Sequence, residues 1–247
     1  VGEHRGGYTP FECDVTLAAR VGKNVLRVLV KNDLFMNVPS GKQSREKESH
    51  GCFYTRVTGI WQSVWLERTP LEYIKNVKFY PNIKTSSVKA EVTAEGDGEA
   101  IIEVYYNGVK VGSGGGYMKY KSSFDIPLSE TNLWEAGAGR LYDVTVTYKQ
   151  DKIESYFGLR EVKYDGLKFL LNDKPVFQRL VLDQGYYKDG LYTAPDDETL
   201  KRDIDLSLKM GFNGARLHQK VFDPRFLYHA DKAGCLVWGE YPSWGVG

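Results

Sequence analysis

Between residues 167 and 244 the apolar positions alternate between short runs and helical spacing. Residues 169–171 and 176–182 are short apolar segments joined by Asn172, Asp173, Lys174 and Pro175, a turn-like insert. A polar, glycine-containing loop follows at 183–195. Residues 196–210 then place Leu200, Ile204 and Leu208 on one helical face, and Gly211 sits where a helix end takes a left-handed residue. Residues 212–217 read as a short apolar strand. Asp223 supplies an N-cap with Pro224 in the first turn, where a missing N–H costs nothing. Phe226, Leu227, Ala230 and Ala233 line this second helix, Gly234 ends it, and residues 235–239 form a third strand running into Glu240. Strands alternating with helices through short connections predict a parallel sheet of right-handed βαβ units. A closed eight-fold α/β barrel takes about 250 residues, so this stretch corresponds to roughly its first three βα units. An open parallel sheet leaves bare edges. The sequence is therefore expected to be a piece of something longer.

Ahead of this stretch the period is two. Residues 11–17 alternate, Gly22, Lys23 and Asn24 make a turn, and 25–30 read as a strand. Residues 37–51 are polar and charged, and Lys42, Arg45, Glu46, Lys47 and Glu48 are expected in a solvated loop. Residues 59–67 alternate again, with Ile60, Gln62, Val64 and Leu66 on one face and Trp61, Ser63 and Trp65 on the other. From 71 to 158, strands are expected at 73–80, 88–94, 100–106, 119–126 and 142–148. Turns are expected at Glu95, Gly96, Asp97 and Gly98 and at Asn107-Gly108, a strong hairpin signal. The glycines at 112 and 114–116 read as a flexible turn, because they do not lead from a buried strand into a helix as a phosphate cradle would. Short strands in this rhythm over roughly 90 residues fit an immunoglobulin-like sandwich without its disulfide.

Composition narrows the classes. A formal net charge of +1 gives no footprint for nucleic acid or an anionic membrane surface. No apolar run approaches the roughly 18 residues of a membrane span. Cys13, Cys52 and Cys235 lie far apart with no C-x-x-C pair, so they are expected as small buried side chains rather than a zinc site or disulfide framework. The 17 Tyr, 11 Phe and 5 Trp suit all-β packing and sugar-binding surfaces equally.

Several segments together carry a resemblance. Gly59-Ile60-Trp61-Gln62-Ser63-Val64-Trp65-Leu66-Glu67 resembles the segment closing the sugar-binding jelly roll of glycoside hydrolase family 2, the β-galactosidases, β-glucuronidases and β-mannosidases. Gly6-Gly7-Tyr8-Thr9-Pro10-Phe11 and Gly22-Lys23-Asn24-Val25-Leu26-Arg27-Val28 look like strands of the same domain. Phe157-Gly158-Leu159-Arg160 is similar to the family's junction into the barrel, and Leu171-Asn172-Asp173-Lys174-Pro175-Val176 to its first barrel strand. The resemblance implies a multi-domain chain, mainly β plus α/β. A partial jelly-roll sandwich would span 1–70, an immunoglobulin-like sandwich 71–162, and the start of an incomplete (β/α)8 TIM barrel 163–247.

The family's chemistry is retaining hydrolysis of β-linked sugars by two carboxylates about 5–5.5 Å apart. In the family these are glutamates on the fourth and seventh barrel strands, so no catalytic residue is assigned here and this chain by itself is expected to be inactive. Substrate-facing residues are expected where barrel strands end. These are Asp183, with Gln184 and Tyr186; Arg216 and His218, with Gln219; and Trp238, Glu240 and Trp244. Glu240 matches an acidic residue that shapes the family's sugar site, and it equally suits pairing with Arg216 or Arg179. Arg216 matches the family's arginine on the second strand, where an ion-pair network and sugar contact are both open. Trp238 and Trp244 suit sugar stacking or packing. His229 is expected to be structural or solvent-facing, and His4 and His50 have no evident partners.

Two departures count. Arg179 is followed by Leu180-Val181-Leu182-Asp183-Gln184 where the family has Arg-Gly-Val-Asn, and His218-Gln219-Lys220-Val221 replaces Ser-His-Tyr-Pro. These put a carried-over sugar specificity in doubt. The implied partner is an oligosaccharide or glycoside, with no nucleic acid, no membrane, and homo-oligomerisation left open. The mechanism requires no cofactor, though some family members bind magnesium or sodium. A periplasmic or extracellular location fits glycan-digesting members without being fixed. The competing class is a non-catalytic carbohydrate-binding or scaffolding protein reusing these domains.

Overall fold

A computed structural model describes residues 1–33, 35 and 37–244. It is mainly β with few helices. Five strands, β1 (Ile74–Asn82), β2 (Ser87–Tyr106), β3 (Val109–Pro127), β4 (Tyr142–Tyr148) and β5 (Asp151–Phe157), form one sheet. The first half of β2 pairs β1 and its second half pairs β4, both antiparallel, while β3 runs along its other edge. A register shift between Thr93 and Asp97, with Gly96 at φ 77°, bends β2 between those halves. The sheet curls until Phe79 of β1 lies 5.7 Å from Phe157 of β5. Its concave side is the core, where Val88, Val92, Ile102, Val146 and Tyr148 are fully buried. Truncating Ile102 to alanine is expected to cost about 2–5 kcal/mol in urea unfolding. A loss below about 1 kcal/mol would mean that the curl closes less tightly than described.

Two expectations are corrected here. Glu95 to Gly98 is a bulge inside one long strand, not a turn between two. The glycines at 112 and 114–116 lie within β3. They are small because the neighbours come close: a Cβ on Gly115 (φ 144°) would stand 2.1 Å from the Ala100 carbonyl oxygen. The Asn107-Gly108 hairpin forms, with φ of 50° and 80°.

A second, three-stranded antiparallel sheet follows: β6 (Val162–Asp165), β7 (Lys168–Leu171) and β8 (Lys174–Pro175). The segment resembling a first barrel strand is thus a hairpin. Asn172 and Asp173 both take positive φ, 52° and 64°, which turns the chain back at Leu171. The parallel sheet starts later, with β9 (Leu180–Asp183), and continues through α1 (Asp197–Lys209), β10 (Gly214–Leu217), α2 (Pro224–Ala233) and β11 (Leu236–Gly239). Its order is β11-β10-β9 and both pairings are parallel.

The expected caps hold the helices. Asp196 accepts from Thr199 N at 2.7 Å, Asp223 from Arg225 N at 2.9 Å, and Gly234 ends α2 at φ 69°. Leu200, Ile204 and Phe226 pack with Ala215 and Leu217 on one face of the sheet. Leu182, Arg216 and Trp238 are level with one another on the other face, which is solvent-exposed here.

The two regions meet at Trp134, buried to 2% exposure. Its indole donates to the Asp231 carbonyl of α2 at 2.7 Å. Arg160 lies 4.4 Å over the ring and pairs with the Asp231 carboxylate at 2.9 Å. Gly139 makes this approach achievable, since a Cβ there would sit 2.2 Å from the Lys232 carbonyl.

Before residue 72 the expected strands at 11–17, 25–30 and 59–67 do not form among the described residues. Their apolar side chains, such as Leu26, Val28, Trp65 and Leu66, are exposed. A strand needs a paired neighbour for its backbone and cover for one face, and these segments find neither within the described chain. Cys13 and Cys52 are exposed, against expectation, while Cys235 is buried. No described helix is long and apolar enough to cross a membrane.

Candidate functional site

The expected site residues lie at the carboxyl ends of β9, β10 and β11, brought level by the parallel registers Leu217–Asp183 and Leu217–Gly239. Glu240, one residue past β11, receives the Nε–H of Arg216 on one oxygen. Its other oxygen faces His218 Nδ1 at 3.0 Å and accepts the Gln219 backbone N–H at 3.2 Å. Arg216 Nη2 also approaches His218 Nδ1 at 3.3 Å. Burial pushes the Glu240 carboxyl up, but Arg216, the Gln219 amide and His218 outweigh it and hold the carboxyl below its ordinary value. A carboxylate pinned in its charged form accepts hydrogen bonds and is a poor proton donor near neutral pH. Glu240 pairs with Arg216 and not with Arg179, whose Nε donates to the Gly211 carbonyl.

Asp183 stands apart from this cluster. Its side chain accepts the Gly185 N–H at 2.8 Å and its carbonyl accepts the His218 N–H at 2.8 Å. Burial raises its pKa against the Gly185 bond and the Lys220 charge. Trp238, level with Arg216, is half-exposed. Trp244 is tied down at its backbone: its N–H donates to Gln219 Oε1 at 3.2 Å and its carbonyl accepts from Ser40 N at 2.7 Å.

The loop expected to be solvated is a wall of this site. Arg45, Glu46, Lys47 and Glu48 are exposed, but Lys42 and Ser44 are buried. Lys42 Nζ lies 3.5 Å over the Trp244 ring. Tyr54 stacks on Tyr186 at 3.9 Å, and Thr193 donates to the Trp61 carbonyl at 2.6 Å. A Cβ on Gly41 would meet the Gln219 carbonyl oxygen at 2.2 Å, so only glycine lets this loop approach. Gln219, at φ 57°, clasps Ser243 through its Nε2 at 3.1 Å. Sequence reasoning named Gln219 but missed Lys42, Tyr54 and Lys220, whose partners lie far away along the chain.

The other histidines have neighbours after all. His4 stacks on Phe11 at 4.4 Å and His50 faces Ser44 Oγ at 3.1 Å. His229 bonds Asp197 at 2.9 Å, joining the two helices. Among the described residues no cluster of three or more His, Cys, Asp or Glu is placed to hold a metal ion.

A curled β-sheet leading into a parallel α/β sheet, with charged and aromatic groups gathered at the strand ends, defines a multi-region β and α/β protein with an enzyme-like site position. Residues 72–160 match the family model described as Glycosyl hydrolases family 2. The chain is 29% identical to a β-galactosidase of Thermoanaerobacter pseudethanolicus over 99% of its length, and 25% identical to a β-glucuronidase of Streptococcus agalactiae over 100%. A β-glucuronidase structure from Ruminococcus gnavus, in complex with D-glucuronic acid, superposes over 76% of this chain with a TM-score of 0.68 at 21% identity. The chain is thus similar to family 2 of the glycosyl hydrolases, through the model match over residues 72–160 and through these relatives over nearly its whole length. It spans 34% and 43% of the length of those two curated relatives and 33% of that solved chain.

Proposed function

We propose that this chain serves retaining hydrolysis of a β-linked sugar and contributes part of the sugar-facing rim. On this reading residues 1–70 belong to a jelly-roll domain, 71–162 to an immunoglobulin-like sandwich, and 163–247 to the opening units of a TIM barrel. Asp183, Arg216, His218, Trp238, Glu240 and Trp244 face the substrate. Arg216 and His218 would donate to sugar hydroxyls, Glu240 would fix both, and the two tryptophans would supply apolar faces for a pyranose ring. The carboxylate pair that a retaining mechanism needs lies outside the residues assigned here.

The observation that carries this reading is the Glu240–Arg216–His218 cluster at the carboxyl ends of adjacent parallel strands, in a chain similar to this family. The test is a titration of the 247-residue chain with methyl β-galactoside and methyl β-glucuronide, followed by tryptophan fluorescence. A saturable change that Arg216→Ala weakens about tenfold, or 1.4 kcal/mol, is expected. A flat titration with both sugars would overturn the assignment of these residues to substrate.

A further inference from the structure

Lys220 belongs to the run that departs from the family pattern, yet the proposed rim makes no use of it. The residue is 4% exposed. Its ammonium donates to the Gly185 carbonyl and, at 2.6 Å, to the Tyr192 carbonyl. Five ring faces surround it: Tyr192 at 4.3 Å, Phe222 at 5.5 Å, Tyr186 at 5.6 Å, and Trp61 and Tyr187 each at 5.7 Å. Burying a lysine is costly unless its protons find acceptors, and desolvated ring faces add to the carbonyls in supplying them. The groups come from three places: Trp61 from the N-terminal segment, Tyr186, Tyr187 and Tyr192 from the loop after β9, and Phe222 from the chain after β10. The packing leaves no slack, because a Cβ on Gly185 would sit 2.8 Å from Phe222 and 3.1 Å from Lys220 Nζ.

We propose that Lys220 is a positioning residue whose buried amino group, through its carbonyl bonds and ring contacts, locks the loop at 184–192 and the Trp61 segment onto the end of β10, setting the Tyr54–Tyr186 wall of the sugar site. The role in sugar recognition rests on the function proposed above; the locking of the loop does not. Gln219 acts in the same sense on the opposite side, through Ser243 and Trp244. Two residues of the departing run thus tie down chain on opposite sides of the end of β10.

The lock is sensitive to protonation. Burial pulls the Lys220 pKa down to about 8, against the charges of Asp183 and Asp223. The tyrosines facing it, Tyr186, Tyr187 and Tyr192, are raised by burial and stay neutral through that range, as does nearby Tyr8. Asp183, though raised by burial, and Asp223, which is lowered, are both carboxylates and remain ionised there. Lys220 is therefore the group of this cluster that titrates between about pH 7 and 9.

The test is amide hydrogen exchange of Tyr187 and Leu191, whose N–H groups bond each other's carbonyls at 2.8 and 2.9 Å. After correction for intrinsic exchange, wild-type protection is expected to be level below about pH 8 and to rise above it, because the buried site holds the Lys220 proton less tightly than the open loop does. Lys220→Met should lose protection about tenfold or more and lose that pH dependence, while the amides of the curled sheet stay protected. Unchanged protection in Lys220→Met, or a flat wild-type profile, would overturn the proposal. If Lys220→Met does not fold, the wild-type profile decides. A normal lock in a chain that binds no glycoside would sink the sugar-site reading and leave the lock standing.

Discussion

Replacing Trp134 with alanine is expected to cost about 3–5 kcal/mol, the range for removing a buried indole. The loss is large because the truncation empties the buried ring site, the indole's bond to α2 and the face under Arg160, while the two backbone bonds of residue 134 remain in alanine. The Trp134 N–H donates to Leu159 O at 3.0 Å, its carbonyl accepts from Asn172 Nδ2 at 2.9 Å, its indole N–H reaches Asp231 O, and its ring carries Arg160. The first ties it to the curled sheet's exit, the second to the β7–β8 hairpin, and the last two to α2. The truncation removes the last two and should therefore loosen α2 from the curled sheet as well as destabilise the chain. Urea unfolding of Trp134→Ala is expected to separate into two transitions, followed by far-UV circular dichroism and by tryptophan emission. A single transition displaced by less than about 1 kcal/mol would contradict this account of the junction.

Glu240→Gln should have the largest effect at the site. The amide keeps the shape but removes the charge that Arg216 and His218 face. Bonds to charged groups are worth about 1.5–3 kcal/mol, and since Arg216 is half-exposed the expected stability loss is near the low end of that range. The effect on glycoside binding should be larger than this suggests, because Arg216 and His218 lose their orientation together. The pH dependence has a definite sign. The Glu240 carboxyl is held below its ordinary value in the folded chain, so its contribution is fully present above the unfolded carboxylate pKa of about 4.3 and is lost as pH falls through the lower folded value. The stability gap between wild type and Glu240→Gln should thus be constant from neutral pH down to about 5 and close below that. A gap that widens in acid would contradict the ion-pair geometry.

The parts that the sequence made legible are those set by local chemistry. Asp196 and Asp223 cap the helices where their side chains reach backbone N–H groups within three residues, and Asn107-Gly108 turns where its backbone accepts positive φ. Helix faces follow from Leu200, Ile204 and Phe226 in the same way. What stayed hidden depends on distant partners. Gly96 reads as a turn until β3 pairs along both halves of β2 and makes it a bulge. Asn172 and Asp173 read as a turn-like insert and form one, but that the strand before them pairs with β6 in an antiparallel sheet, instead of opening the barrel, depends on chain ahead of it. Lys42 reads as a solvent-facing charge and Lys220 only as a departure from the family pattern, and their burial follows from Trp244, Trp61 and Tyr192, each far off in sequence. At the site, Glu240 and Arg216 were legible because the parallel register of β10 and β11 brings strand ends level. The direction of the Asp183 side chain was not, since it is set by the bend at Gly185, at φ 60°. The alternation at 11–17, 25–30 and 59–67 remains a strand pattern that no pairing among the described residues satisfies.

The central claim is that this chain serves glycoside hydrolysis by presenting a sugar-facing rim rather than the carboxylate pair. Its most direct test is a turnover assay on a panel of aryl β-glycosides, including galactoside, glucuronide and mannoside. The 247-residue chain would be run beside the longest polypeptide translated from the same reading frame. The account predicts turnover by the longer polypeptide, loss of most of it in Glu240→Gln, and none by the 247-residue chain. Turnover by the 247-residue chain itself would contradict it and make Glu240 the first residue to re-examine, while inactivity of both across the panel would favour a carbohydrate-binding protein built from the same domains.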